Sequence, residues 1–452
     1  MLRARELAYG VINCVGRHTI TGLLSSCGKL FEDWSADYRL FQQGRMQVSC
    51  LFDVVRKELV SQLGTQQPIY AHMDDTIVKK TGKKVAGSAW RRDPLGPPFH
   101  TNFIWGQRFI QLSISLPESG KIAAAARSIP VEFFHAPTAK KPGKSEGKIE
   151  WDDYREEQKQ AKLSRQGAER LSVLREKLDQ DGAKDRLLVV SVDGSYSNET
   201  VLKSLPQRTT LIGRIRKDTL LNYLPESGRK VGRNRVYGQQ LPTPEQIRQS
   251  EQYAWQEVEA YAAGKLHHFN IKVIQHIRWR KAGNQNLQLV VIRPLSYRLT
   301  KHSKLLYRKP AYLICTDPEM SSDQLLQAYL WRWGIEVNFR EEKTVLGCGQ
   351  AQVRTTKAVE KVPAFIVAVY AMLQLAAHKS TNTTNCLPRS KWYPNKHSNK
   401  PTTGDIINQL RAQIYAQSLN INFTHFVNLQ AMMQSRRIRP ERTQAALFYC
   451  RK

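Results

Sequence analysis

The sequence predicts an α/β protein: a mixed-sheet core, preceded by an all-helical N-terminal domain, interrupted by a β-rich insertion and followed by a helical C-terminal segment. Three observations carry this. Residues 1–65 place apolar residues at helical spacing in "ARELAYGVINCVG", "ITGLLSSCGKLF" and "MQVSCLFDVVRKELVSQL". From residue 66 the pattern turns to short β-rich runs bounded by Pro or Gly, alternating with long helical stretches. Residues 218–310 then break that order with a block rich in Arg, Lys, Gly and Pro.

Each element follows in turn. The helices of 1–65 carry Arg17, Arg39, Arg45 and Arg56 on their outer sides, which suits a small DNA-binding bundle or a helical cap on the next domain. The first part of the core, 66–217, opens with a strand after Pro68, "IYAHMDDTIVKK", followed by strands at 107–117 and 128–136. Residues 139–185 begin as a basic loop and become a charged helix. "RLLVVSVDG" is a continuous apolar run ending at Asp193, the pattern of a buried central strand with its polar residue at the strand end. "TTLIGRIRK" (209–217) is another strand. In 218–310 the runs "HFNIKVIQHIRWRK" and "NLQLVVIRPLSYRL" resemble a β-hairpin. The second part of the core, 311–380, holds a last strand, "AYLICTDP", a long helix from about Ser322, and the apolar helix "VPAFIVAVYAMLQLAAHK". Residues 381–452 read as a polar linker and a helical, basic end.

Composition narrows the partner. With 69 Lys and Arg against 39 Asp and Glu, the chain carries a formal charge of +30, which points to a polyanion, most simply nucleic acid. None of the seven Cys has CxxC spacing, and no HExxH or finger pattern occurs, so the common zinc signatures are excluded and a reduced, intracellular protein is expected. No phosphate-loop match survives, because "GKKVAGSAW" puts Ser88 where Lys is needed and "KPGKSEG" puts Thr138 where the first Gly belongs. No apolar run approaches ~18 residues, so no membrane span is expected.

The densest chemistry lies in "YLWRWGIEVNFREEK". On a helix advancing ~100° per residue, Tyr329, Arg332, Glu336 and Lys343 fall within about 60° of one another. Trp333 and Arg340 sit beside them, so one face carries an acid among cations and aromatics. Two further acids, Asp74 and Asp193, stand at strand ends. Three carboxylates from two strands and a helix supply the hard oxygen ligands of a two-Mg²⁺ phosphoryl-transfer site.

These motifs identify the chain as similar to the DDE transposases of bacterial insertion sequences, which have a ribonuclease-H-like core. The Y-(2)-R-(3)-E-(6)-K signature of one group is met by Tyr329, Arg332, Glu336 and Lys343. Asp74-Asp75-Thr76 resembles that group's D-x-T strand motif, and Asp193-Gly194-Ser195-Tyr196 its second acid motif. The D-x-T register selects Asp74, with Asp75 the alternative. The resemblance, over roughly 66–380, implies a cut-and-paste transposase with Asp74, Asp193 and Glu336 as catalytic metal ligands. It implies two Mg²⁺ ions, with Mn²⁺ as substitute, and double-stranded DNA, both transposon end and target, as partner. Tyr329, Arg332, Trp333, Arg340 and Lys343 would contact that DNA. The insertion would lie over the transposon end, and Trp279 or Trp255 would stack on a flipped base, a place in the core being the alternative for each. A homodimer in the synaptic complex and a place in the bacterial cytoplasm with the nucleoid are also implied. A structure-specific nuclease on the same core, or a transposase-derived DNA-binding protein that no longer cuts, are the rival readings.

Overall fold

The structure, a computed structural model, describes residues 2–93, 96–97, 99–225, 235–298, 302–380 and 401–419. Four helices come first: α1 (Leu2–Asn13), α2 (Ile20–Ser26), α3 (Ser35–Gln42) and α4 (Ser49–Gln62). Strands β1 (Ile69–Lys79), β2 (Ala89–Arg92), β3 (Phe103–Pro117) and β4 (Ala126–His135) follow, then helices α5 (Lys148–Gln160) and α6 (Leu163–Leu178). Next come β5 (Leu188–Val192), α7 (Glu199–Lys203), β6 (Thr209–Arg214), β7 (Asn222–Tyr223) and α8 (Pro244–Gln249). Strands β8 (Gln256–Ala262), β9 (Lys265–Arg278), β10 (Leu287–Ile292), β11 (Ser296–Tyr297), β12 (Leu306–Tyr307) and β13 (Ala311–Cys315) lead to α9 (Ser322–Trp331), α10 (Trp333–Thr344), α11 (Thr356–Ser380) and α12 (Thr403–Leu419). The sequence expectations for 381–400 and for 420–452 lie outside the described residues.

The chain forms two compact units, each assembled from separated segments: residues 1–55, 78–107 and 337–452 make one, and 56–77 and 108–336 the other. The second unit is α/β, built on a mixed sheet. β1, β5 and β6 run parallel at its centre, with Met73 opposite Val192 and Val192 opposite Gly213 at the ends of the ladders. β13 joins β6 antiparallel, β10 joins β13, and β9 joins β10. The hairpin expected from the runs 268–281 and 286–299 therefore forms, as β9 and β10, and it extends the central sheet. β8, which the sequence pattern did not disclose, pairs with β9 along its length.

The apolar runs explain this centre. Every residue of β5 and of β10 is buried, as a strand covered on both faces requires. Beneath α9, Val189, Ile212, Leu313, Leu325 and Leu326 form one core cluster. Over the opposite face lies α6, which buries Leu171, Leu174 and Leu178. In the insertion, the fully enclosed Lys272 ammonium donates to the carbonyls of Ile247, Arg248 and Ser250 at 3.0, 3.2 and 2.6 Å. It thereby satisfies carbonyls that the short helix α8 leaves open.

The first unit is gathered around α11. Phe365 meets Phe41 of α3 edge to face at 5.6 Å, and α1 packs against both α11 and α12. Arg411 of α12 donates to Ile12 O at 2.9 Å and to Cys14 O at 3.3 Å. The N-terminal helices thus share a compact unit with later parts of the chain. Thr356–Lys379 is long and apolar enough to cross a bilayer, but 83% of its apolar window is buried inside the protein, the position of a core helix.

Candidate active site

Asp74 and Asp193 are neighbours because of register. β1 and β5 are parallel and their ladder closes at Met73 and Val192, so Asp74 and Asp193 are the next residue on each strand. Asp193 follows the last residue of β5 and so stands at that strand's carboxyl end. β1 instead runs on to Lys79, so Asp74 lies inside its strand and not at the expected end, one residue past the last position that β5 pairs.

Alternation along β1 separates Asp74 from Asp75. Tyr70, His72 and Asp74 face the side of α9: Tyr70 meets Trp331 edge to face at 5.1 Å. His72 Nε2 lies 2.7 Å from Ser115 Oγ on β3, and burial holds its imidazole neutral, with a pKa lowered to about 3. Asp75 points to the other face. It accepts a hydrogen bond from the Tyr196 hydroxyl at 3.3 Å and forms an ion pair with Arg108 at 3.2 Å. The Tyr196 ring fits there because position 167 of α6 is glycine, where a Cβ would come within 2.6 Å of it.

Asp193 is set by its own turn. Its carboxylate accepts from the Ser195 amide at 2.9 Å and the Ser195 hydroxyl at 3.1 Å, an Asx-type arrangement, and its carbonyl accepts from Ser197. The turn then enters α7, capped by Asn198.

The third acid arrives on a broken helix. The single helix expected from Ser322 divides at Arg332, where backbone bonds tighten: Arg332 N reaches Tyr329 O at 3.2 Å and Ile335 N reaches Arg332 O at 3.0 Å. Trp331 is buried, its indole donating to Ala124 O at 2.8 Å, so it anchors the break in the core. Gly334 then lets α10 approach β4, since a Cβ there would lie 2.6 Å from Ser128 Cβ. As a result the Arg332 guanidinium donates to Asp74 at 2.9 Å and to Glu336 at 2.9 Å, joining the two carboxylates. Burial pushes the Asp74 carboxyl up to about 7, opposed by the Arg332 charge and reinforced by Asp193. The Tyr329 ring lies 5.8 Å from the guanidinium and packs on the core beneath it, and burial raises its hydroxyl pKa.

The remaining sequence candidates fall elsewhere. Trp333 is exposed beside Arg332. Arg340 and Lys343 belong to the first unit. There Arg340 is exposed, 3.7 Å from Glu341, and the mostly buried Lys343 ammonium lies 5.9 Å from the Phe339 ring. Trp279 is buried and lines a basic cavity of about 760 Å³ with Gly194, Arg214, Lys217, Lys281 and Lys309. Trp255 lies under the Lys272 ammonium, 4.4 Å from it. Arg108 went unnoticed in the sequence; its only signal there is that it is the single charged residue of β3.

The donor chemistry suits a hard divalent cation: all the side chains are carboxylates, and one is buried where an unbalanced charge is costly. Among the described residues no three His, Cys, Asp or Glu side chains stand close enough to hold a metal together, and Arg332 occupies the position between Asp74 and Glu336.

This arrangement of acids on an α/β sheet defines a class before it defines a reaction. The model of the DDE superfamily endonuclease family matches residues 3–285, and the chain belongs to that family. The match includes Asp74 and Asp193 and ends before Glu336. A comparison with curated proteins finds none that matches.

Proposed function

We propose that the protein is a cut-and-paste DNA transposase that hydrolyses and transfers strands at the ends of an insertion sequence. The observation that carries this reading is the geometry of Asp74, Asp193 and Glu336, two acids adjacent by strand register and the third linked to Asp74 through Arg332. The unit around them is read as a ribonuclease-H-like core, the helices of 1–65 as a DNA-binding element, and 218–310 as the insertion that covers a transposon end.

Asp74, Asp193 and Glu336 would hold Mg²⁺, with two ions as the expected number and Mn²⁺ as a substitute. Such ions, when bound, activate the attacking oxygen and neutralise charge on the scissile phosphate. The chain's own residues position the DNA. Arg332 presents a planar fork that spans two carboxylates and is equally matched to two phosphate oxygens. Tyr329 packs beside that fork and limits its motion, while Trp333 offers an exposed ring next to it. Arg340, Lys343 and Trp279 complete the proposed DNA-binding set. Asp75, tied to Tyr196 and Arg108, fixes the direction of the strand that carries Asp74. No Ser or Tyr nucleophile is needed, because positioning and charge carry phosphoryl transfer. The active form is read as a homodimer joining two ends, working on bacterial DNA in the nucleoid.

The test separates binding from cutting. Glu336→Gln and Asp193→Asn are expected to bind a transposon end like wild type and to lose cleavage in Mg²⁺. Cleavage at the wild-type rate by either variant would remove that residue from the site. A structure-specific nuclease remains the second reading, since endonuclease is the description of the family; joined strand-transfer products distinguish the transposase from it.

A further inference from the structure

A second feature concerns the first unit and lies outside the acid site. β2 and the start of β3 form a two-stranded ribbon in which Trp90 stands opposite Trp105 and Arg92 opposite Phe103. Directly opposed residues share a face, so Trp90, Arg92, Phe103 and Trp105 make one surface. It is uncovered: Trp90 is 67% exposed and Phe103 60%, and Phe99 in the connecting turn is exposed as well. It is also built. Trp90 and Trp105 meet edge to face at 5.6 Å, and the Trp105 indole donates to Gly82 O at 3.1 Å. Burying these rings would be the usual outcome for residues of this size.

The surroundings are cationic. From Lys79 through Phe103 the sequence has six Lys and Arg and one acid, Asp93. Lys83, Lys84 and Arg92 are exposed. An apolar ring pair set in positive charge matches a ligand with flat apolar faces on an anionic backbone. Paired bases hide their faces inside the duplex, whereas unpaired bases expose them.

We propose that the ribbon of Ala89–Arg92 and Phe103–Gly106 is a stacking platform for unpaired DNA bases, with Trp90 and Phe103 receiving the bases and Arg92 the adjoining phosphate. The assignment rests on the reading of the protein as a DNA-processing enzyme. It gives that enzyme a means of holding strands that have left the duplex, separate from the carboxylates that cut them.

The experiment measures equilibrium binding of the full chain to a fluorescent single strand of ~20 nucleotides and to the corresponding duplex, with 2-aminopurine in the single strand as a stacking reporter. Trp90→Ala and Phe103→Ala are each expected to weaken single-strand binding about tenfold or more and to reduce 2-aminopurine quenching. Duplex affinity should hold, and Trp90→Phe should retain most of the single-strand affinity. Unchanged single-strand binding in the double variant overturns the platform. Equal losses on both DNAs also overturn it, because stacking requires unpaired bases. A change in self-association with DNA binding intact would instead make this face a protein contact, which overturns it too. Failure of wild type to bind either DNA would sink the underlying enzyme reading together with the platform; duplex binding without an effect of the variants would sink the platform alone.

Discussion

At the scale of the residue, Arg332 decides the most. Its fork meets two carboxylates from different elements through two separate nitrogens, a planar geometry that the single nitrogen of a lysine does not reproduce. Arg332→Lys is therefore expected to slow end cleavage ~10- to 100-fold, or about 1.4–2.8 kcal/mol, despite its unchanged charge. Arg332→Met removes the charge and leaves Asp74 largely buried beside Asp193. Partial exposure of the pair discounts the cost to roughly 1–3 kcal/mol of stability. Single-turnover cleavage and thermal unfolding read the two effects separately. Wild-type cleavage by a correctly folded Arg332→Lys protein would return this arginine to a structural role. Burial sorts the crowded side chains of "YLWRWGIEVNFREEK". Trp331 is a core residue, Tyr329 packs on the core, Trp333 faces solvent, and Arg332 alone turns toward the acids. Composition could show that so many functions crowd one helix, but not which ring went inward.

At the scale of the element, the broken helix is held against β4 by the absence of a side chain. Gly334→Ala gains up to ~1 kcal/mol of helix propensity, so it would stabilise the protein if space allowed. The Ser128 contact says that it does not, and overpacking is expected to cost about 1–3 kcal/mol net. Cleavage should fall further than stability, since ~1 Å of misplacement can cost ~100-fold. Adding Ser128→Gly should restore both. A rise in the melting temperature of the Gly334→Ala single variant would refute the close-approach account.

A second element-scale prediction concerns α8, which β13 grips through Glu245. Arg248 donates to that carboxylate at 3.0 and 2.6 Å, and Tyr312 donates to it as well, so its pKa is lowered from 4.5 to about 2. A lowered carboxylate contributes stability that is complete above its unfolded value and is lost as pH falls through the folded one. The advantage of wild type over Glu245→Gln should thus shrink between pH 4.5 and about 2. Tyr312, pushed up to about 12 chiefly by burial, contributes in the opposite sense, its share being lost as pH rises from 10 toward 12. Melting curves across both flanks check this; a pH-independent difference between the two proteins at low pH would exclude the linkage.

At the scale of the whole molecule, the surplus of charge is the governing quantity. With a formal charge of +30, specific binding should release many counterions, and raising salt from about 50 to 200 mM should weaken it ~1,000-fold or more. A shallow salt dependence, equivalent to fewer than ~3 phosphates, would mean that the charge mainly serves solubility. This charge, the buried strands and the acid after β5 were legible in the sequence because each is local: a run of apolar residues, a count, a spacing; that β1 would run on past Asp74 was not. The strands at 69–79, 188–192 and 311–315 lie where the patterns put them. What could not be read is non-local. "QEVEAYA" became β8 only because β9 lay beside it. Arg108 became the partner of Asp75 only because β1 turned that acid toward it. No local pattern says that the first helices would share a compact unit with the last ones.

That sharing has a consequence for the time course of synthesis. α1 contacts α11 and α12, and Arg411 supplies the hydrogen bonds to Ile12 O and Cys14 O. A ribosome adding ~5–20 residues per second makes the opening helix wait roughly 20–80 s for those partners. α2 covers part of that helix at once, and the side of α1 that meets α11 and α12 is what waits uncovered. A nascent chain halted before α11 is therefore an aggregation hazard and a client for chaperones. Every copy of the protein passes through that interval before it reaches its folded form.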